Sequence, residues 1–191
     1  MIHIIRVALV LLAVTSGAAG AAVYEGKVFE ETRSVRNSHL VLNGVGKRVV
    51  VFFDAYYASL YLSRRCATFD EVTAAGGPRQ LEVRLLRDVR LSMLESVFVD
   101  GVAKNVNAAE LVSLRPAMER LLETMRRIKT FRKGDVLQLT FNGDATQVEL
   151  NGTPVGAPIG NMAFNNALLS IWIGREPIDQ RLKERLLGAR L

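Results

Sequence analysis

"LNGVGKRVVVFFDAYYASLYL", Leu42 to Leu62, is the stretch on which the fold turns. Its second part, Val49 to Leu62, is rich in β-branched and aromatic residues. Such residues fit a pleated, covered surface, so the segment is read as a strand. Its even positions (Val50, Phe52, Tyr56, Ala58, Leu60, Leu62) and its odd positions (Val51, Phe53, Tyr57, Tyr61) are both mainly apolar. That pattern predicts a strand covered on both faces. Asp54 interrupts it and marks a bulge or a hairpin bend. Upstream, Ser38 to Leu42 reads as a short strand. Asn43 to Gly46 reads as a turn, because its two glycines tolerate positive φ. If alternation holds, Arg48 shares a face with Phe52 and Tyr56. Arg48 is then either a solvated turn residue or the one fixed cation beside an apolar cleft.

The N-terminus carries an export pattern. Arg6 supplies a positive charge, Val7 to Val14 a short apolar run, and "TSGAAGAA" the small residues before cleavage. The expectation is a signal peptide over residues 1–22 and one domain over residues 23–191. The apolar run is shorter than the roughly 20 residues a bilayer requires. No stable membrane insertion is expected after cleavage. The mature chain is placed outside the cytoplasm, in a bacterial periplasm.

Composition removes several chemistries. Cys66 is the single cysteine, and His39 is the only histidine beyond the leader. Intramolecular disulfides and Cys-rich zinc sites are excluded, and a single histidine argues against histidine-based triads and His-rich metal sites. The chain carries a net charge of +6, dispersed over several small clusters. It has no focused basic stripe with a recognition motif, so nucleic acid is not the expected partner. Attraction to an anionic ligand or membrane surface is the milder reading of that charge.

Further along, Gln80 to Leu86 alternates as a strand after the loop "AAGGPR". Leu91 to Val102 has a helical stripe. Asn107 and Glu110 form a capping-box pattern ahead of Leu111, Leu114, Met118, Leu121, Met125 and Ile128. Pro116 should kink or restart that helix. Val136 to Phe141 and Thr146 to Leu150 read as a meander, with Asn151-Gly152 a type I′ turn. Phe164 to Ile173 reads as a helix stopped by Gly174. A final helix opens at Pro177, with Asp179 in its first turn. The order of elements implies an α+β fold, a mostly antiparallel sheet with helices on one face.

Three blocks, "LNGVGKR…YYASLYL", "RDVRLSMLESVFVDGVAKN" and "FNNALLSIWIGREPIDQRLKERLLG", together with "KGDVLQLTF…LNG", resemble the chalcone isomerase family in its bacterial, exported chalcone-isomerase-like branch. The resemblance covers roughly Phe29 to Gly188. It implies an open-faced β-sandwich, with a long antiparallel sheet, a layer of helices and a ligand cleft between them. It implies no cofactor. Arg48 stands at the family's key arginine, and the family threonine on the next strand falls at Tyr56. The family tyrosine falls near Leu111 and the threonine of the C-terminal helix at Ile171, so those hydroxyls are missing here. Lys104 and Asn105 lie near the family's lysine and asparagine without aligning to them.

Two functions follow from the resemblance. One is a binding protein for an amphiphilic anionic small molecule, a fatty acid or an aromatic acid. Arg48 would hold the anion, Tyr56 would be a second polar anchor, and Phe52, Met118 and Trp172 would form apolar wall. The other is a cofactor-free isomerase of the intramolecular lyase type. Its catalytic pair would be Arg48, steering a nucleophile, and Tyr56, polarising an electrophile. Loss of one preorganised donor typically costs about a hundredfold or more in rate, which favours binding.

Overall fold

The computed structural model describes residues 20–35, 37–128 and 130–189. The leader expected over residues 1–22 lies outside these as far as residue 19; Ala21 and Ala22 stand in the first strand, opposite Glu30 and Phe29. Nine strands and five helices occur among the described residues. They are β1 (Ala21–Tyr24), β2 (Lys27–Glu30), β3 (Thr32–Val35), β4 (Ser38–Val50), β5 (Phe53–Leu62), α1 (Phe69–Ala75), β6 (Arg79–Leu85), α2 (Leu91–Ala103), α3 (Ala108–Arg127), β7 (Val136–Asn142), β8 (Ala145–Leu150), β9 (Thr153–Pro154), α4 (Met162–Ile173) and α5 (Gln180–Leu186). Strands β3 to β9 form one curled antiparallel sheet in sequence order, and β1–β2 is a separate hairpin.

Alternation sorts the two faces of the sheet. Leu60, Leu81, Leu139 and Val148 lie in one cross-strand row. They join Phe98, Leu121, Met125, Phe164, Leu168 and Trp172 from the helices in the main core. The fold class expected from the sequence, an antiparallel sheet with a helical layer, is the one observed. On the other face Leu40, Leu42, Tyr57 and Tyr61 pack with Phe29 of the β1–β2 hairpin in a second, smaller core.

That outer face also holds a buried ionic network. Arg33 on edge strand β3 donates from Nη1 to Gln80 Oε1 and to Glu82 Oε2, each at 2.6 Å. Both acceptors are on β6, three strands away, and the curl of the sheet makes the reach possible. Glu82 also accepts from Arg84 Nε at 2.6 Å and from Gln138 Nε2 at 3.1 Å. A buried carboxylate is tolerated only when its lone pairs are filled this way.

The expected turn at Asn43–Gly46 is instead the middle of β4. Leu42 pairs with Tyr61 and Gly44 with Leu60, so Asn43 is the extra residue of a bulge. Its buried amide donates to the Cys66 carbonyl (3.0 Å) and the Leu186 carbonyl (2.7 Å), and accepts from the Cys66 amide (2.7 Å). The glycines serve packing, not a turn. A Cβ on Gly44 would lie on the Arg185 carbonyl oxygen and 2.7 Å from that of Leu186. Helix α5 therefore rests directly on the β4 backbone.

The helices α2, α3 and α4 fall where their periodicity predicts, and the capping box at Asn107 and Glu110 is formed. Pro116 lies inside α3 without ending it. It sits on the exposed side, where water can satisfy the carbonyl that its missing N–H leaves free. The short α1 was not foreseen. It buries only Val72, so no stripe announces it.

Candidate functional site

Arg48 lies two residues before the end of β4 and is the cross-strand partner of Tyr56 on β5. Directly paired residues point to the same face. Tyr56 packs against the helix-side core, so Arg48 faces the helices too. The register then shifts, pairing Val49 with Asp54 and leaving Ala55 as a second bulge. The sequence reading expected this break near Asp54. The single strand expected over Val49 to Leu62 is divided between β4, ending at Val50, and β5, beginning at Phe53, because Val51 and Phe52 form a hairpin turn.

The Arg48 guanidinium is already engaged. Its Nη1 donates to Asp179 Oδ2 at 2.8 Å, and the two side chains are 18% and 20% exposed. Asp179 is the N-cap of α5, where its Oδ1 accepts from the Leu182 amide at 2.9 Å. One carboxylate thus caps a helix and ties it to the sheet. The helix starts at Gln180, later than the expected opening at Pro177, so Asp179 is its cap and not a first-turn residue; its partner Arg48 is 131 residues away.

Beside this pair, Trp172 on α4 donates its Nε1–H to the Tyr56 hydroxyl oxygen at 3.1 Å. The buried indole meets Phe98 edge-on, with ring centroids 6.1 Å apart. No acceptor for the Tyr56 hydroxyl proton is found among the described residues. Burial dominates the acidity of this phenol. The Trp172 N–H and the Arg48 charge partly offset it, Asp179 adds to it, and the pKa is pushed up to about 12. Tyr56 is therefore a neutral hydrogen-bond donor at physiological pH, not a base.

This shift has a testable sign. A phenol whose folded pKa exceeds its unfolded value near 10 lends stability below that value, and the protein loses it as pH rises towards about 12. Tyr56→Phe should remove the last-titrating absorbance at alkaline pH. It should also flatten the fall of melting temperature over that window relative to wild type. Tyr57 and Tyr61 are also raised, mainly by burial, so the difference between the two proteins is the quantity to read. An unchanged absorbance titration would contradict a Tyr56 held this way.

The other proposed site residues are more scattered. Met118 is buried on α3 and lines an open pocket of about 260 Å³ with Val99, Leu111, Leu122, Arg115 and Glu119, which none of Arg48, Tyr56 or Trp172 lines. Phe52 does not share the face of Arg48. It stands at the hairpin tip, 90% exposed, because the turn breaks the alternation that would have turned it inward. Ile171 is fully buried in the main core. The Asn105 amide is committed to structure, donating to the Gly101 and Glu176 carbonyls and accepting from the Glu176 amide. The site therefore comprises Arg48, Tyr56, Asp179 and Trp172. It pairs a cation and a neutral hydroxyl donor at the edge of an apolar core.

No curated protein matches this sequence. Among solved structures, a fatty-acid binding protein of Arabidopsis thaliana superposes with a TM-score of 0.71 at 16% identity, covering 88% of this chain and 96% of that one. At that identity the likeness establishes the fold. The sequence model of the chalcone isomerase-like family matches residues 21–188, nearly the whole described chain, and the protein belongs to that family.

Proposed function

We propose that this is an exported, periplasmic binding protein for an amphiphilic anion, a fatty acid or an aromatic acid. The carrying observation is the Arg48–Tyr56 pair on the helix-facing side of β4 and β5. A ligand carboxylate would accept the free Tyr56 hydroxyl proton and N–H donors of Arg48, forming charge-assisted bonds. Trp172 supplies apolar wall beside this pair, while Met118, in a separate pocket, does not. The shared fold with a fatty-acid binding protein supports the same reading. The isomerase alternative would use the same pair. Apolar side chains at Leu111 and Ile171 weigh against it, since they leave a developing enolate with fewer donors.

Asp179 competes with the ligand for Arg48. Asn caps helices as well as Asp does, so Asp179→Asn keeps α5 capped and removes the competing charge. Native mass spectrometry with organic extraction should find an acid bound to wild type and absent from Arg48→Ala. In displacement of a fluorescent long-chain fatty acid, Arg48→Ala should weaken binding about tenfold or more, as for a lost hydrogen bond to a charged group. Asp179→Asn should tighten it. An empty wild type that ignores the probe, or an Arg48→Ala variant binding equally well, would defeat the proposal.

A further inference from the structure

The tip of the β4–β5 hairpin is built against turn chemistry. Val50 pairs with Phe53, closing a two-residue turn of Val51 and Phe52. Val51 has φ 57°, a left-handed conformation that β-branched residues rarely adopt and that such turns normally give to glycine. Five consecutive apolar residues lie in the open: Val49 44%, Val50 43%, Val51 76%, Phe52 90% and Phe53 56% exposed. Strain and exposed apolar surface together, at one place, point to a use.

The surroundings are basic. The Leu86 amide bonds to the Ala55 carbonyl, which lays residues 86–90 beside the hairpin. The Arg87 guanidinium sits over the Phe53 ring at 4.6 Å. Arg90 begins α2, and Met93 in its first turn is 57% exposed. A bridge between Val89 and Phe131 brings Arg132 and Lys133 to the same end. Of the nearby acids, Asp54 pairs with Lys47, while Asp88 and Asp135 accept from backbone amides, which do not cancel their charge; Arg87, Arg90, Arg132 and Lys133 outnumber them.

We infer that this tip docks the protein onto an anionic lipid surface. Val51, Phe52 and Phe53 enter the boundary between headgroups and acyl chains, and Arg87, Arg90 and Lys133 meet lipid phosphates. The convex shape selects this occupant. A stable protein partner requires about 800 Å² per side, more than a five-residue tip offers, whereas apolar insertion within a basic rim needs no matching surface. The attachment is peripheral, and no described helix is long and apolar enough to cross a membrane. The inference does not depend on Arg48 binding a ligand.

Flotation with vesicles tests it, using the chain from Gly20 onward, which holds every described element and both cores. Wild type should float with phosphatidylglycerol-rich vesicles, and much less with pure phosphatidylcholine or in high salt. Phe52→Ser should reduce partitioning about tenfold or more. Arg87→Gln with Arg90→Gln should lower it on anionic vesicles. Val51→Gly relieves the backbone and should melt no lower than wild type while binding less, so its loss cannot be blamed on misfolding. Three results would overturn the inference: wild type that floats with neither vesicle, Phe52→Ser that floats as wild type does, or equal binding to neutral and anionic vesicles. Tip-dependent self-association without flotation would likewise assign the tip to a protein partner.

Discussion

Gly44→Ala is expected to cost about 3 kcal/mol or more, the upper range for forcing an extra methyl into packed structure. The measurement is a lower denaturant midpoint at an unchanged slope. The new Cβ meets the Arg185 and Leu186 carbonyls, which are backbone atoms and cannot rotate aside. Gly46→Ala should be milder. Its Cβ would meet the Leu182 Cδ1 and Arg185 Cβ atoms, at 2.9 and 2.8 Å, and side chains yield more easily than a helix backbone. Because α5 carries Asp179, lifting the helix also withdraws the carboxylate from Arg48. A Gly44→Ala protein as stable as wild type would show that α5 does not rest on β4.

Glu82→Gln should be nearly as damaging, by about 3 kcal/mol, because it leaves Arg33 and Arg84 against a neutral amide in a buried place. It should also change the response to acid. Burial alone would push the Glu82 carboxyl up, but the charge of Arg33 and the bonds from Arg84 and Arg33 outweigh it, holding it below the usual carboxylate range. A carboxyl depressed on folding lends stability above its unfolded pKa and loses it as pH falls through the folded one. Wild type should therefore lose denaturant resistance steeply below about pH 4, and Glu82→Gln more gently. Parallel acid limbs for the two proteins would place the titrating group elsewhere.

What the sequence disclosed followed interaction range. Helices α2, α3 and α4 announce themselves through stripes such as Leu114, Met118, Leu121 and Met125, which bury one continuous face. The β7–β8–β9 meander is legible because Val136 to Phe141 and Thr146 to Leu150 alternate and Asn151-Gly152 takes positive φ at both residues. Val49 to Leu62 misled because Val51 and Phe52 form a turn without turn residues. Asn43 to Gly46 misled in the opposite sense, since its glycines answer to α5, met only at the far end of the chain. At the site, the shared face of Arg48 and Tyr56 survived because a bulge restored the register at their own pair. The Asp179 pairing with Arg48 stayed hidden because a place near a helix start gives no hint of a partner across the fold.

The order of the sheet has a consequence at its margins. One outer strand, β3, has four residues, and the other, β9, has two, ending at Pro154. Proline offers no amide hydrogen to an incoming strand, and so short a rim gives a second chain little backbone to pair with. Strand addition is disfavoured at β9, whereas β3 covers only Ser38 to Val41 of the longer β4. A second copy that pairs backbone to backbone is therefore turned away from the β9 margin, the side of the sheet least open to the edge-to-edge stacking that leads to fibrils.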